Sequence, residues 1–481
     1  MERTTVSEVI GHPEAGGAHP VKHAHKRWRA AVVVTAGALL IAASAATLPF
    51  TAAAQDRVTI EWFVGLGTGG NPEQFAAENA VVEAFNASQE KINLVVTIVD
   101  NDVAYSQLAT RIAAGDSPDI IGPIGIRALQ AFGDQLLDLT PYIADVDLSE
   151  IPQSLIDVYK LDGAQIGIPT AVYPSFIYYN RALFEEAGVP EPPHKVGEQY
   201  DGKDWTWDTV AELAKLLTVD AAGNDATSAE FDPENVLQWG LDSQWASNDA
   251  RAWSTIYGGS GSVLADDGVT AQWPDNWRQG LQFFYDGIWD GRFVPNKQQI
   301  DGLGSDNTFQ SGKVAMDIVH MWYVCCIVPA SGEPAVTDWD IAALPTGLNG
   351  SVTSKLHADT IGILAATENP DEAFEALNYL AAAPELTAAW GAMPARPSQQ
   401  DAFFQLQSER FAPLEIDWQV AKDMLAYPDI PSHEAFMPNF DRADAANKEF
   451  GSKLWTTSGL DLNAAIDEQV ATLQSIFDEA D

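Results

Sequence analysis

Cysteine is almost absent: the 481-residue chain has two, adjacent at Cys325 and Cys326. A single pair excludes a disulfide framework, so stability has to come from packed cores. Basic residues are scarce too, with 26 Lys and Arg against 68 Asp and Glu and a formal net charge of −42. A surface of that sign repels nucleic acid and anionic lipid, and neither is an expected partner. No run of like charge is long enough to suggest a disordered tail. HExxH, GxSxG, Walker A and Cys-His metal spacings are all missing, and no carboxylate pair is marked out for glycoside hydrolysis. No catalytic residue, metal or cofactor is therefore expected. "GLGTGG" after the first apolar run matches a dinucleotide fingerprint in spacing alone, and Asn71-Pro72 lengthens the loop beyond what that fingerprint requires.

Apolar runs of membrane-spanning length are missing with one exception. "AAVVVTAGALLIAASAATLPF" (30–50) follows Lys22, Lys26, Arg27 and Arg29 and precedes "TAAAQ". Residues 1–54 thus read as a secretory signal cut after Ala54, with an uncleaved anchor as the alternative and no following Cys to carry a lipid. The expected location is periplasmic or at the cell surface. Cleavage leaves 21 of the 26 basic and 65 of the 68 acidic residues, a net charge of −44, which reads as a solvated coat. About 427 residues remain, enough for two or three lobes, and 14 of the 15 Trp stay with them to supply large cores.

Within that chain the hydrophobic period alternates. "RVTIEWF" reads as a buried strand, and "PEQFAAENAVVEAFNAS" as a helix with Phe75, Val82 and Phe85 on one face beside a polar Asn79. "INLVVTIV" and "PDIIG" are further strands, separated by the helix "YSQLATRIAAG". Units of this kind build a mostly parallel sheet that binds ligands beyond the carboxyl ends of its strands. Asn180 and Thr206 read as helix caps. "DAAGND" (220–225) offers carboxylates to Ca²⁺ but lacks the rest of an EF-hand loop, and reads as a turn.

The phrases "LATRIAAGDSPDII", "LLDLTPYI", "IGIPTAVYPSFIYYNRALFEEAGV", "WTWDTVAELAKLLT", "SGKVAMDI", "WDIAALPTG", "ENPDEAFEALNYL" and "GAMPARPS" occur in this order. In that order they resemble the family 1 extracellular solute-binding proteins, the sugar-capturing subunits of ABC importers, from about Arg57 to the C-terminus. The resemblance implies an α/β, two-lobed periplasmic-binding-protein-like fold of class II type, with hinge strands and a ligand cleft between lobes. It implies a first lobe of residues 55–172 plus about 313–357, and a second of about 173–312 plus 358–481. Crossings are expected near Ala171–Phe176 and Leu356–Ile361. A monomer that binds a carbohydrate and docks on permease subunits follows, with a non-sugar solute or an exported glycan-active enzyme as alternatives.

A sugar offers hydroxyls at its edge and an apolar CH face, so aromatic platforms and a few polar groups are sought. Trp322 stands six residues after Met316 in "AMDIVHMW", the spacing at which the family's maltose-binding member has a stacking Trp; a core Trp is the alternative. Tyr173 takes the place of a ligand-contacting Glu in the first hinge. Trp245 and Trp253 lie in a segment that carries ligand contacts in the family, one expected to face the cleft, preferably Trp245, and the other the core. Arg127 matches the Arg of a polar pair, while Ile126 and Pro123 replace its acidic and aromatic companions, which argues against maltose. Asp359, Arg396 and Phe436 are further contacts. The loop 65–71, with Gly67 and Asn71, lets backbone approach a ligand. Cys325 and Cys326 form either a vicinal disulfide or a buried reduced pair. As a disulfide they would hold Trp322 in its stacking orientation.

Overall fold

The computed structural model describes residues 57–144, 148–151, 153–161, 163–243, 250–303, 308–328, 333–348, 350–433 and 436–479. Residues 1–54, expected to be a signal, and Trp245 lie outside these residues.

Strand β1 (Val58–Val64) buries Ile60, Trp62, Phe63 and Val64 completely. It pairs in parallel with β2 (Ile92–Ile98) on one side and β3 (Ile120–Ile124) on the other. Helices α1 (Phe75–Ser88), α2 (Asn101–Ala114) and α3 (Ile126–Phe132) follow the three strands in turn. The face of α1 departs from expectation by one residue. Its buried residues are Glu78, Val81, Val82 and Phe85, whereas Asn79 is exposed and Phe75 half-buried. A carboxylate is accepted inside because the Trp390 indole N–H donates to Glu78 Oε1 at 2.9 Å.

Seven more strands complete one ten-stranded sheet: β4 (Ala171–Asn180), β5 (Val219–Asp220), β6 (Val236–Asp242), β7 (Val314–His320), β8 (Trp339–Ala342), β9 (Leu356–Ile363) and β10 (Met393–Pro394). The order is β2-β1-β3-β9-β4-β7-β6-β5, with β8 and β10 also bonded to β4. The sheet is mixed rather than mostly parallel, because β4 and β9 run against their neighbours; only β1/β2, β1/β3 and β6/β7 are parallel. Strand β9 pairs with β3 through Thr360–Ile363 and with β4 through Leu356–Asp359. Strand β4 then continues from β9 to β7 through Ser175–Tyr179. These two strands therefore join the β1–β3 half to the β6–β7 half, at the segments where crossings are expected. Strand β7, which opens the segment 313–357 expected in the first lobe, is hydrogen-bonded to β4 and β6 instead.

The second half has an aromatic core. Trp253 packs on Phe284 at 4.0 Å, Trp207 on Tyr257 at 4.4 Å, and Tyr178 edge-on to Tyr323 at 5.1 Å. Helix entries follow the expected chemistry: Asn180 accepts from the Ala182 N–H at 3.2 Å and Thr206 from the Thr209 N–H at 3.4 Å. In the turn 220–225, the Asp220 carboxylate accepts from the N–H groups of Ala222, Asn224 and Asp232 at 2.8 to 2.9 Å. Burial alone would raise its pKa, but those donors outweigh it and hold the group at about 2. Its oxygens are thereby committed to the chain's own backbone.

Burial, only partly offset by the Trp390 N–H, pushes the Glu78 carboxyl up to about 7 from an unfolded value near 4.5. Between those values the folded protein keeps a proton that the unfolded chain has lost, so stability falls as pH rises through the window. Glu78→Gln removes the titration and keeps the oxygen that faces Trp390. Its stability relative to the parent, measured by thermal unfolding, is expected to grow from pH 4.5 to pH 8 by up to roughly 3 kcal/mol. A difference that does not change with pH would contradict this.

Candidate functional site

A cavity of about 360 Å³ opens where the sheet geometry places ligands, beyond the carboxyl ends of β1, β2, β3 and β7. Each strand end delivers a short segment to it. After β1 come Gly65–Thr68 and Asn71; after β2, Asn101 and Tyr105; after β3, Gly125 and Arg127. The 3-10 turn Met321–Cys325 after β7 contributes Trp322 and Cys325, and β9 itself contributes His357 and Asp359. Gly67 leaves the room that lets these walls converge. A Cβ on it would stand 3.1 Å from the Pro123 carbonyl and 3.5 Å from Asp359 Oδ2.

One wall is aromatic. Trp322 is half-buried, with its indole stacked on the buried His320 ring at 4.0 Å and an interplanar angle of 20°. His357 meets it edge-on at 4.9 Å and Tyr173 is tilted against it at 5.5 Å. His320 covers one face of the indole and is not itself on the cavity, whereas Trp322 lines it. Burial, and then the neighbouring His357, Lys355 and His433, hold the His320 pKa well below the ordinary imidazole range, so its ring is neutral. The cavity lining also includes polar groups. Arg127 lies 4.1 Å over the Tyr105 ring, and its Nε is 3.9 Å from Asp444 Oδ2. Tyr105 donates to the Leu66 carbonyl at 3.0 Å, which fixes the loop after β1. An arrangement of one flat apolar surface facing neutral amides, one guanidinium and one carboxylate binds a polar ring by stacking and edge hydrogen bonds.

The profile of the bacterial extracellular solute-binding proteins matches residues 69–385 of this chain. The chain belongs to that family. A binding protein of Brucella abortus is 25% identical over 357 residues, 74% of this chain and 77% of its own. Among solved structures, an ABC substrate-binding protein of Listeria monocytogenes in complex with cycloalternan superposes with a TM-score of 0.66 at 19% identity, covering 87% of this chain and 99% of the other. A solute-binding protein of Thermotoga lettingae bound with α-D-tagatose gives 0.64 at 17% identity, over 87% and 100% of the two chains. The fold is therefore the two-lobed one of these binding proteins.

Of the residues singled out from sequence, Trp322, Arg127, Gly67, Asn71 and Asp359 line the cavity together, joined by Cys325. Tyr173 does not line it: it is fully buried behind Trp322, with its hydroxyl 3.3 Å from Thr68 Oγ1. Burial, and next the nearby Asp359 charge, raise its pKa far above the ordinary phenol value, so it stays a neutral packing and positioning group. Trp253 is fully buried in the second half against Phe284 and Trp455. Arg396 lines a second cavity of about 180 Å³ with Thr360 and Gln399, away from the first. Phe436 is 62% exposed and lines neither. Both aromatic residues that sequence reasoning missed, Tyr105 and His357, follow from rules it had in hand. Tyr105 stands one turn into the helix after β2, and His357 sits on the returning strand two residues before Asp359.

The turn that carries Trp322 is seated on Gly391, which has φ +62°. A Cβ there would lie 2.6 Å from Val324 Cγ2 and 2.9 Å from both Met321 O and Trp322 Cα. Gly391→Ala combines a left-handed alanine with overpacking under the platform, and a loss of roughly 2 kcal/mol or more is expected in urea unfolding. A loss below about 0.5 kcal/mol, the size of an ordinary surface substitution, would mean that the turn is not held from below.

Proposed function

We propose that this protein is the extracytoplasmic binding subunit of an ABC importer, that its solute is a mono- or oligosaccharide, and that it is not an enzyme. The observation that carries the reading is the one-sided aromatic platform, Trp322 backed by His320, facing polar groups across the cavity. A sugar CH face stacks on the indole while Arg127, Asp359, Asn71 and Asn101 take its edge hydroxyls. The cavity volume falls within the ~300–1,000 Å³ of small-molecule sites. The sugar ligands of the Listeria and Thermotoga proteins support the same class. A polyamine would require several carboxylates, and among the described residues this cavity is lined by Asp359 alone of the acidic ones, with Arg127 also lining it. The lobes then close by bending about β4 and β9, which brings the platform and the opposing loops onto the ligand. Residues 1–54 serve as the export signal, and the closed form docks on permease subunits as a monomer.

Thermal-shift measurement against maltose, D-tagatose, cycloalternan, spermidine and a peptide mixture tests this. At a concentration 100 times its Kd, a ligand of the native state adds about 2.7 kcal/mol. A shift with at least one saccharide is expected, and Trp322→Ala is expected to weaken it tenfold or more without a comparable change in the unliganded Tm. A response to spermidine or peptide with none to any saccharide would replace the sugar with another solute.

A further inference from the structure

The only two cysteines of the chain are bonded to each other as Cys325–Cys326. Cys325 lines the main cavity. Cys326 Sγ receives the Asn71 side-chain amide at 3.6 Å, and Asn71 belongs to the loop after β1 that lines the cavity beside it. The backbone around the bond is pinned from two further directions: Arg410 Nη2 donates to the Cys325 carbonyl at 3.0 Å, and Gln310 Nε2 to the Cys326 carbonyl at 2.8 Å. The same 3-10 turn presents Trp322 three residues earlier. The Asn71 contact to Cys326 therefore ties the platform's turn to the loop after β1.

A disulfide is apolar, polarisable and without a proton donor, so it extends the apolar surface begun by the indole. Reduction alters all three properties. Two unbonded sulfurs need van der Waals separation in a wall where Cys325 and Cys326 are 2% and 7% exposed. Each also acquires an S–H donor, and the Asn71 contact is lost as Cys326 moves.

We propose that the Cys325–Cys326 disulfide is a ligand-contacting part of the cavity wall that selects the apolar face of a saccharide, and that its reduction to two thiols lowers saccharide affinity. The proposal rests on the carbohydrate reading of the same cavity. In the reducing step a thiolate of dithiothreitol attacks one sulfur to give a mixed disulfide, and its second thiol closes the ring. Two electrons and two protons pass to Cys325 and Cys326, and dithiothreitol leaves as its cyclic disulfide.

Two readouts test it on the whole protein. The first needs no sugar. Mass spectrometry after iodoacetamide, under native conditions, is expected to show no alkylation before dithiothreitol and modification of Cys325 after it. Alkylation before reduction, or no modification of Cys325 in the reduced folded protein, overturns the proposal. The second is calorimetry with whichever of maltose, D-tagatose and cycloalternan gives the largest thermal shift. Its Kd is expected to rise at least fivefold in the reduced protein and in the Cys325→Ser/Cys326→Ser double variant; a smaller rise in the reduced protein overturns the proposal, even where the variant does not fold. If none of the three sugars binds the oxidised protein, the carbohydrate reading fails separately and the alkylation result still decides whether Cys325 faces the cavity.

Discussion

The antiparallel pairing of Ala171–Pro174 with Leu356–Asp359 ties the two halves of the protein together and supplies the floor of its cavity. All ten residues of β4 are buried, so none of its backbone groups can turn to water and each depends on a ladder or side-chain partner. Ser175 and Ser354 close the junction: Ser354 Oγ donates to the Ser175 carbonyl at 2.9 Å, and the Lys355 N–H donates to Ser175 Oγ at 2.8 Å. His357 and Asp359 lie on the paired segment itself. Trp322 follows the strand bonded to one end of it, and Arg127 follows the strand bonded to the other. A displacement of this pairing would move the platform, the carboxylate and the guanidinium relative to one another.

The charge of the chain is distributed unevenly about that floor. With 68 acidic residues overall, the described residues of the cavity wall still include one carboxylate and one guanidinium. Arg127 stacks on Tyr105 of the first half but faces Asp444 in the helix Phe440–Thr456. Asp444 is fixed by the buried Arg251 at 3.0 Å and by Lys448 at 2.9 Å. Removing one partner of a buried pair such as Arg251–Asp444 typically costs ~3–5 kcal/mol, so Asp444 has little freedom to leave. The cavity's cation is thus held toward a charge that does not move. The contact itself is partly exposed and contributes no more than about 1 kcal/mol, which leaves it easy to break.

Much of this was legible in the sequence because local patterns decided it. The strands at Val58, Ile92 and Ile120, the caps at Asn180 and Thr206, and the place of Trp322 on the cavity wall all follow from periodicity, capping chemistry or the family's spacing. Features set by distant partners were not legible. Glu78 turns inward because Trp390, 312 positions away, offers it an N–H. Tyr173 was a reasonable ligand contact as a hinge residue, but the antiparallel neighbours of β4 bury it on every side. The mixed sheet is a similar case: a parallel grammar holds within each half, and the strands that cross between halves reverse it. Trp253 belongs to a helix buried along its whole length, where an aromatic residue has no free side to offer.

Trp322 shows why the setting of a cavity-lining residue matters as much as its identity. Its indole is backed by an imidazole at 4.0 Å, seated on a glycine where no larger residue fits, and joined through its turn to a covalent pair of sulfurs. Such a ring loses little freedom when a ligand arrives, and the cost of ordering it has already been met in folding. His320 is itself a cost, since both ring nitrogens are buried without a hydrogen-bond partner, and an unsatisfied group of that kind typically costs ~1–3 kcal/mol. An aliphatic residue would fill the space without that loss. What the imidazole provides instead is a flat surface, and because burial keeps it neutral the platform carries no charge at neutral pH.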